Sequence, residues 1–119
     1  MPLQTYRDLE AWKAAMDLVE SIYTLTRQFP DEERYGLTSQ IRRASVSIPS
    51  NIAEGYGRVH RGDYVRFLSI ARGSLCEVET QMLLSIRLGY STRESMVPVW
   101  HQTQLVGKIM GGLIRSLQD

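Results

Sequence analysis

The chain has 119 residues, of which 43% are hydrophobic and 23% charged. This length and this composition predict one globular domain spanning residues 1–119 and argue against a disordered chain. It lacks the apolar run of about 18 residues that a membrane helix needs, and its start lacks the pattern of a secretory signal. Cys76 is the single cysteine and cannot form an internal disulfide, so we expect a cytoplasmic protein with no membrane partner. We also expect this thiol to be a small buried apolar group.

The net charge of +1 conceals an uneven distribution along the chain. Residues 1–33 contain three basic and seven acidic residues (3 − 7 = −4), whereas residues 34–72 contain seven arginines and two acidic residues (7 − 2 = +5). Arginine forms planar, paired hydrogen bonds with carboxylate or phosphate. Two interpretations follow: the basic segment meets the acidic segment within or between subunits, or it binds a phosphate backbone.

Apolar residues recur at helical spacing in four segments, and no strand-like alternation competes with them. The first predicted helix runs from about Asp8 to Gln28. Phe29-Pro30 ends it, because the residue before a proline avoids helical backbone. Its predicted inner stripe consists of Leu9, Trp12, Ala15, Met16, Val19, Ile22, Tyr23 and Thr26.

The second predicted helix covers roughly Thr38 to Tyr56. Pro49 lies in its middle and has no N–H, so we predict a kink or an interruption there. Gly55, Gly57 and Gly62 are expected to frame the exit from the helix. Two stripes run along it, one apolar (Leu37, Ile41, Ala44, Ile48, Ile52) and one polar (Arg43, Ser47, Asn51, Glu54, Arg58).

The third predicted helix spans about Asp63 to Leu88, and Gly89 is expected to take the left-handed position after it. Gly73 costs about 1 kcal/mol relative to alanine inside a helix, so we expect it to permit close approach of the second helix. Polar groups beside the two apolar stripes predict a hydrogen-bonded network between these helices. Its expected members are Ser47, Asn51, Glu54, Ser74, Glu77 and Gln81.

The fourth predicted helix begins with Ser91-Thr92-Arg93-Glu94, which matches a capping box, and runs to the C-terminus. Gly107 and Gly111 form a G-x-x-x-G pair, which indicates a second close-packing surface within the domain or between subunits. Four helices of this length with short connections predict an all-α, up-down-up-down four-helix bundle.

Metal, cofactor and catalytic patterns are missing from the sequence. Neither His60 nor His101 has a glutamate three residues before it, so the di-iron pattern of helical bundles is lacking. Ser47 and Ser74 have no histidine at helical spacing. We therefore expect no metal, no cofactor and no enzymatic activity.

The arginines of the second and third helices are the best functional candidates. If they share one surface, an oligomer would multiply them into a ring or groove suited to a phosphate backbone. The alternative is a structural or protein-interaction module in which these arginines pair with acidic residues across subunits. The candidate nucleic-acid-binding residues are Arg42, Arg43, Arg58, Arg61, Arg66 and Arg72.

Several motifs together resemble the ribosomal RNA intervening-sequence, or S23-type, family. The run Ser47-Ile48-Pro49-Ser50-Asn51-Ile52-Ala53-Glu54-Gly55 is the most specific. The other matching elements are Phe29-Pro30, Glu33-x-Tyr35-Gly36-Leu37, Gln40-Ile41-Arg42-Arg43-Ala44, Arg66-Phe67-Leu68-x-Ile70-Ala71-x-Gly73-Ser74-Leu75-x-Glu77 and Leu88-Gly89-Tyr90.

The resemblance implies an up-down four-helix bundle and a homo-oligomer, with a pentamer expected because some relatives form pentameric rings. Those relatives include the accessory proteins of diversity-generating retroelements, so RNA or a nucleoprotein is the expected partner. The resemblance supplies no catalytic residues.

Overall fold

The computed structural model describes residues 3–118, so both ends of the predicted 1–119 domain lie outside the described part. Four α-helices make up the fold: α1 (Glu10–Thr26), α2 (Leu37–Tyr56), α3 (Arg61–Arg87) and α4 (Arg93–Gln118). Each helix packs against two neighbours, in the cyclic order α1–α2–α3–α4–α1. The prediction of an all-α up-down bundle is confirmed. No described helix is long and apolar enough to cross a membrane.

The core lies along the bundle axis and is built from the predicted apolar stripes. Its buried side chains come from all four helices, and burial of one such side chain stabilises the fold by about 1.5–3 kcal/mol. Met16 and Tyr23 were predicted in this core but are both 38% exposed, because they lie at the α2-facing edge of α1. Fully buried members include Leu18, Ile22, Ile41, Ile48, Ile52, Leu68, Val78, Met82, Val106 and Met110.

The first helix starts two residues later than predicted. Tyr6–Asp8 is a separate 3-10 turn, and the Asp8 carboxylate accepts hydrogen bonds from the backbone N–H groups of Gln4 and Thr5 at 3.0 and 3.1 Å. These backbone bonds lower the pKa of Asp8. Leu9 then adopts an extended backbone, so α1 begins at Glu10.

Pro49 lies inside a helix that runs from Leu37 to Tyr56, so the helix is not interrupted there, and the kink stays a prediction. Pro49 is buried, and because it has no N–H, one backbone hydrogen bond of α2 is not formed. Gly55 is helical and buried rather than at the exit, and the helix continues one residue beyond it.

The connection between α3 and α4 confirms one predicted cap and corrects another. Gly89 has φ +79°, and the N–H groups of Gly89 and Tyr90 donate to the carbonyls of Ile86 and Ser85 at 3.0 and 2.9 Å. This is the expected glycine-terminated helix end. The cap of α4 is Thr92, whose Oγ1 accepts from the Ser95 N–H at 3.1 Å. The predicted cap, Ser91, is buried instead, with its Oγ 3.1 Å from that of Ser85.

Candidate nucleic-acid interface

Polar side chains join α2 to α3 at the middle of both helices. The hydroxyls of Ser47 and Ser74 are 2.9 Å apart. Asn51 Nδ2 donates to the Ser47 carbonyl and hydroxyl at 2.8 and 2.9 Å. Half of the predicted polar network is thus one connected cluster, which sets the register of the two helices.

The other three predicted network residues lie apart from this cluster. Gln81 Nε2 is 3.3 Å from Glu77 Oε2 and 3.5 Å from Gln40 Oε1. The contact with Gln40 is a second, looser link between α3 and α2. The Oε1 atom of Gln81 is buried without a hydrogen-bond partner among the described residues. Glu54 is exposed and forms an ion pair with Arg58 at 3.0 Å.

Close helix approach occurs at Gly55 rather than at Gly73. A Cβ added to Gly55 would lie 2.8 Å from Phe67 Cβ and 3.2 Å from the Tyr64 carbonyl oxygen. A Cβ on Gly73 would meet nothing within 4 Å. The prediction for Gly73 is therefore wrong, because this residue lies on the outer side of α3.

The glycine pair of α4 divides between two surroundings. A Cβ on Gly107 would lie 3.4 Å from Leu75 of α3, so this glycine packs within the bundle. Gly111 and Gly112 would meet only the guanidinium of Arg115, at 3.4 and 3.8 Å. The second glycine of the G-x-x-x-G pattern, Gly111, thus lies next to the side chain of Arg115 rather than against another helix.

Tyr64 lies beside the Gly55 contact, with its ring 6.1 Å from that of Tyr56 in an edge-on arrangement. Its hydroxyl is buried and has no hydrogen-bond partner among the described residues. Burial raises the pKa of Tyr64 to about 12. The phenol is therefore a neutral packing group at any physiological pH.

Arg42 is an internal clamp between α1 and α2. Its Nε donates to Thr26 Oγ1 at 2.8 Å and its Nη2 to the Tyr23 carbonyl at 3.4 Å. The guanidinium also covers the Tyr23 ring, 4.6 Å from the ring centroid. Its donors are directed at protein groups, so the structure separates Arg42 from the other five candidate arginines.

Arg58 and Arg66 share one aromatic ring. Their guanidinium carbons lie 4.6 and 4.9 Å from the centroid of Phe67. Arg58 also pairs with Glu54, which neutralises part of its charge. The two side chains are held on a common platform where α2 ends and α3 begins, with their charged groups at the surface.

Arg43, Arg61 and Arg72 are exposed. Within residues 3–118, the ion pairs shorter than 4.0 Å join Lys13 to Glu10 and Arg58 to Glu54. Arg43, Arg61, Arg66 and Arg72 therefore have no carboxylate of that range within 4.0 Å. Arg43 stands apart from the others, because the Ser47–Ser74 and Gln40–Gln81 bonds place it beside the C-terminal half of α3.

Two basic residues of α4 lie on the side that faces Arg72 and were missed in the sequence. Gln104 Nε2 donates to Glu79 Oε2 at 3.1 Å, which defines the facing sides of α4 and α3. Lys108 follows Gln104 by about one turn, and Arg72 precedes Glu79 by about two turns, so both lie on these facing sides. Arg115 comes seven residues after Lys108. This i, i+7 spacing was the signal available in the sequence.

Cys76 is exposed on the outer side of α3, so the prediction of a buried thiol is wrong. Leu75 is buried next to it, and a step of about 100° per residue turns Cys76 out of the core. No group of three or more histidine, cysteine, aspartate or glutamate residues in the described range 3–118 is arranged to hold a metal ion.

Glu33 links the α1–α2 connection to the α3–α4 connection. Its Oε1 accepts from the Leu37 N–H at 2.9 Å and caps α2, while its Oε2 accepts from the Tyr90 hydroxyl at 2.7 Å. These two bonds lower the pKa of Glu33. The same carboxylate raises the pKa of Tyr90. Glu33 thus ties the two connections together within the fold.

Comparisons with known proteins agree with this architecture. The chain aligns over 88% of its length, at 25% identity and a TM-score of 0.81, with a crystal structure from Bacteroides thetaiotaomicron. That structure, of which 95% is covered, is described as a protein of unknown function from the S23 ribosomal protein family. No curated protein sequence matches significantly. Residues 7–112 match the family model described as 23S rRNA-intervening sequence protein, and the chain therefore belongs to that family.

Proposed function

We propose that the protein binds the phosphate backbone of RNA without catalysing a reaction. The proposed contact is a set of basic residues on the N-terminal half of α3, the connection before it and the C-terminal half of α4. We call this set the basic half; it consists of Arg58, Arg61, Arg66, Arg72, Lys108 and Arg115. The observation that supports this is the set of three exposed α3 arginines, Arg61, Arg66 and Arg72, with no carboxylate of residues 3–118 within 4.0 Å. Uncompensated guanidinium groups are free to pair with phosphate oxygens.

The stacking of Arg58 and Arg66 on Phe67 supports the same proposal. A guanidinium held against a ring loses less side-chain freedom when it binds a phosphate, so less entropy opposes binding. The proposed interface omits Arg42, because its Nε and Nη2 donate to groups of α1. The proposed interface therefore moves from α2 and α3 to α3 and α4.

We also propose that the protein is a homo-oligomer, which would repeat the basic half around its symmetry axis. The pentamer and the relation to the accessory proteins of diversity-generating retroelements remain predictions of the resemblance. Native mass measurement tests the subunit number. Cytoplasmic location and binding to a nucleoprotein likewise remain predictions.

The test is fluorescence anisotropy of a labelled structured RNA, titrated with protein between about 50 and 200 mM salt. We expect affinity to fall steeply with salt. The variant Arg61→Ala/Arg66→Ala/Arg72→Ala should weaken binding and reduce the salt slope by about one for each phosphate group that it no longer neutralises. Native mass should be unchanged.

Arg43→Ala is the matched control, because Arg43 is exposed and unpaired but lies outside the basic half. It should leave RNA affinity within about twofold. Absence of RNA binding by an intact oligomer would overturn the proposal. A loss from Arg43→Ala of about one third of that from the triple variant, on a logarithmic scale, would also contradict it, because binding would then follow total charge rather than this surface.

A second candidate function is a protein-interaction module. It is favoured by exposed leucine and valine side chains at the other end of α3 and α4, among them Leu83, Leu84 and Val97. The two functions use different surfaces and are compatible with each other.

A further inference from the structure

A groove with an apolar floor runs between the last turns of α3 and the first turns of α4. Two adjoining cavities, of about 550 and 290 Å³, form it and share Leu83, Ile86 and Arg93. The apolar groove is lined by Thr80, Leu83, Leu84, Ile86, Met96, Val97 and Trp100, with Arg87, Arg93 and His101 at the rim.

The floor is unusually accessible for apolar side chains. Leu83 is 51% exposed and Val97 is 49% exposed, and they face each other across the groove. Leu84 extends the patch along α3, and Trp100 is half-buried at its base. Contiguous exposed apolar surface rimmed by polar groups marks a site of protein association.

The rim gives the groove a positive charge. Arg87 and Arg93 are exposed and have no carboxylate of residues 3–118 within 4.0 Å. Glu79, the nearest acidic residue on the α4-facing side of α3, accepts a hydrogen bond from Gln104. Glu94 follows Arg93 on α4 and is the other carboxylate close in sequence. A partner should therefore combine apolar side chains with carboxylates.

We propose that this groove binds an acidic amphipathic helix of another protein. The α3 side, Thr80–Arg87, is about 10 Å long and the α4 side, Arg93–His101, about 12 Å, which corresponds to roughly two helical turns. A helix with apolar residues at i, i+3 or i+4, and i+7 would fill the floor. Glutamates or aspartates on its flanks would meet Arg87 and Arg93.

A second copy of this chain fits the groove less well. The most acidic segment, Asp31–Glu33, is one 3-10 turn and is too short to provide apolar groups over two turns. The outer face of α1 is acidic, with Glu10, Asp17 and Glu20 exposed, but the apolar stripe of this helix is buried in its own bundle. Its exposed apolar residues are Met16 and Tyr23, and Arg42 covers the Tyr23 ring. The acidic segments of a second copy therefore offer no free apolar stripe among residues 3–118, which favours a different protein.

The test uses a synthetic helical peptide of about 18 residues, long enough to form helix, with leucines at i, i+4 and i+7 and glutamates on both flanks. Binding to the full-length protein is measured by isothermal titration calorimetry. We expect saturable binding that weakens roughly tenfold or more in Arg87→Glu/Arg93→Glu. A peptide with lysines in place of the glutamates should not bind.

Two further variants separate the groove from general charge. Val97→Asp replaces an exposed side chain, so the fold should persist while peptide binding is lost. Arg61→Glu/Arg72→Glu makes the same change in charge on the basic half, and it should retain peptide binding to within about twofold. Circular dichroism on each variant verifies the helix content.

Several results would overturn the proposal. Equal binding of the glutamate and lysine peptides would remove the charge argument, and no binding of the glutamate peptide would remove the site. A native mass that falls to the monomer in Val97→Asp would show that a second copy occupies the groove. RNA affinity should be unchanged in Val97→Asp, so this test and that of the proposed function fail independently.

Discussion

Glycine and arginine occur both on the packing surface of α2 and on the exposed surface of α3, but their surroundings differ. On α2, Gly55 is buried against Phe67, and Arg42 is clamped to α1. On α3, a Cβ added to Gly73 would meet nothing within 4 Å among residues 3–118, and Arg72 is exposed without a nearby carboxylate in the same range. The surroundings, not the residue type, decide whether a glycine or an arginine contributes to stability or remains available for a partner.

The two glycines should show the largest contrast. Gly55→Ala places a methyl group 2.8 Å from Phe67 Cβ and close to backbone, so we expect a loss of about 2 kcal/mol in unfolding free energy. Gly73→Ala fills open space and should stabilise the helix by about 0.5–1 kcal/mol. Urea denaturation of both variants measures this. Changes of the same sign would contradict the packing described for Gly55.

The adjacent arginines of α2 give a smaller contrast. Arg42→Ala removes the bonds to Thr26 and Tyr23, and it should lower the unfolding free energy by about 1–2 kcal/mol. Arg43→Ala should change it by less than about 0.5 kcal/mol, because that side chain is exposed. Thermal unfolding at equal protein concentration compares the two. Equal losses would show that Arg42 does not act as a clamp.

The serine pair between α2 and α3 should be coupled. In a double-mutant cycle of Ser47→Ala and Ser74→Ala, we expect an interaction free energy of about 0.5–1 kcal/mol. Replacing both should cost less than the sum of the single losses, since neither hydroxyl is then left without its partner. Additive losses would show that the interaction free energy of this hydrogen bond is zero.

The Glu33–Tyr90 bond should appear as a pH dependence. The pKa of Glu33 is lowered in the fold, so its contribution is present above the ordinary value of 4.5 and is lost as pH falls through the folded value. Tyr90→Phe removes one of the two bonds that lower this pKa. It should therefore destabilise the protein at neutral pH and have little effect at acidic pH, as thermal midpoints would show. A constant difference across pH would refute the linkage.

The helices and most of the core follow from local patterns. Apolar spacing, Phe29-Pro30 and the left-handed Gly89 locate the elements to within a few residues. The role of Arg42 does not follow, because it depends on the rotation of α2 relative to α1, which brings Thr26 and Tyr23 within reach. The outward position of Cys76 and Gly73 likewise depends on the rotation of α3. Lys108 and Arg115 become candidates for RNA binding only once the structure places α4 beside Arg72.

The exposed thiol of Cys76 has a practical consequence, because it is the only cysteine in the sequence. It lies on α3 about one turn beyond Arg72 and about two turns before Leu83. A maleimide fluorophore attached there would label the natural sequence at one position, between the basic half and the apolar groove. Changes in its emission would report RNA at one side and a helical peptide at the other, so one labelled sample could show whether the two ligands bind together or exclude each other.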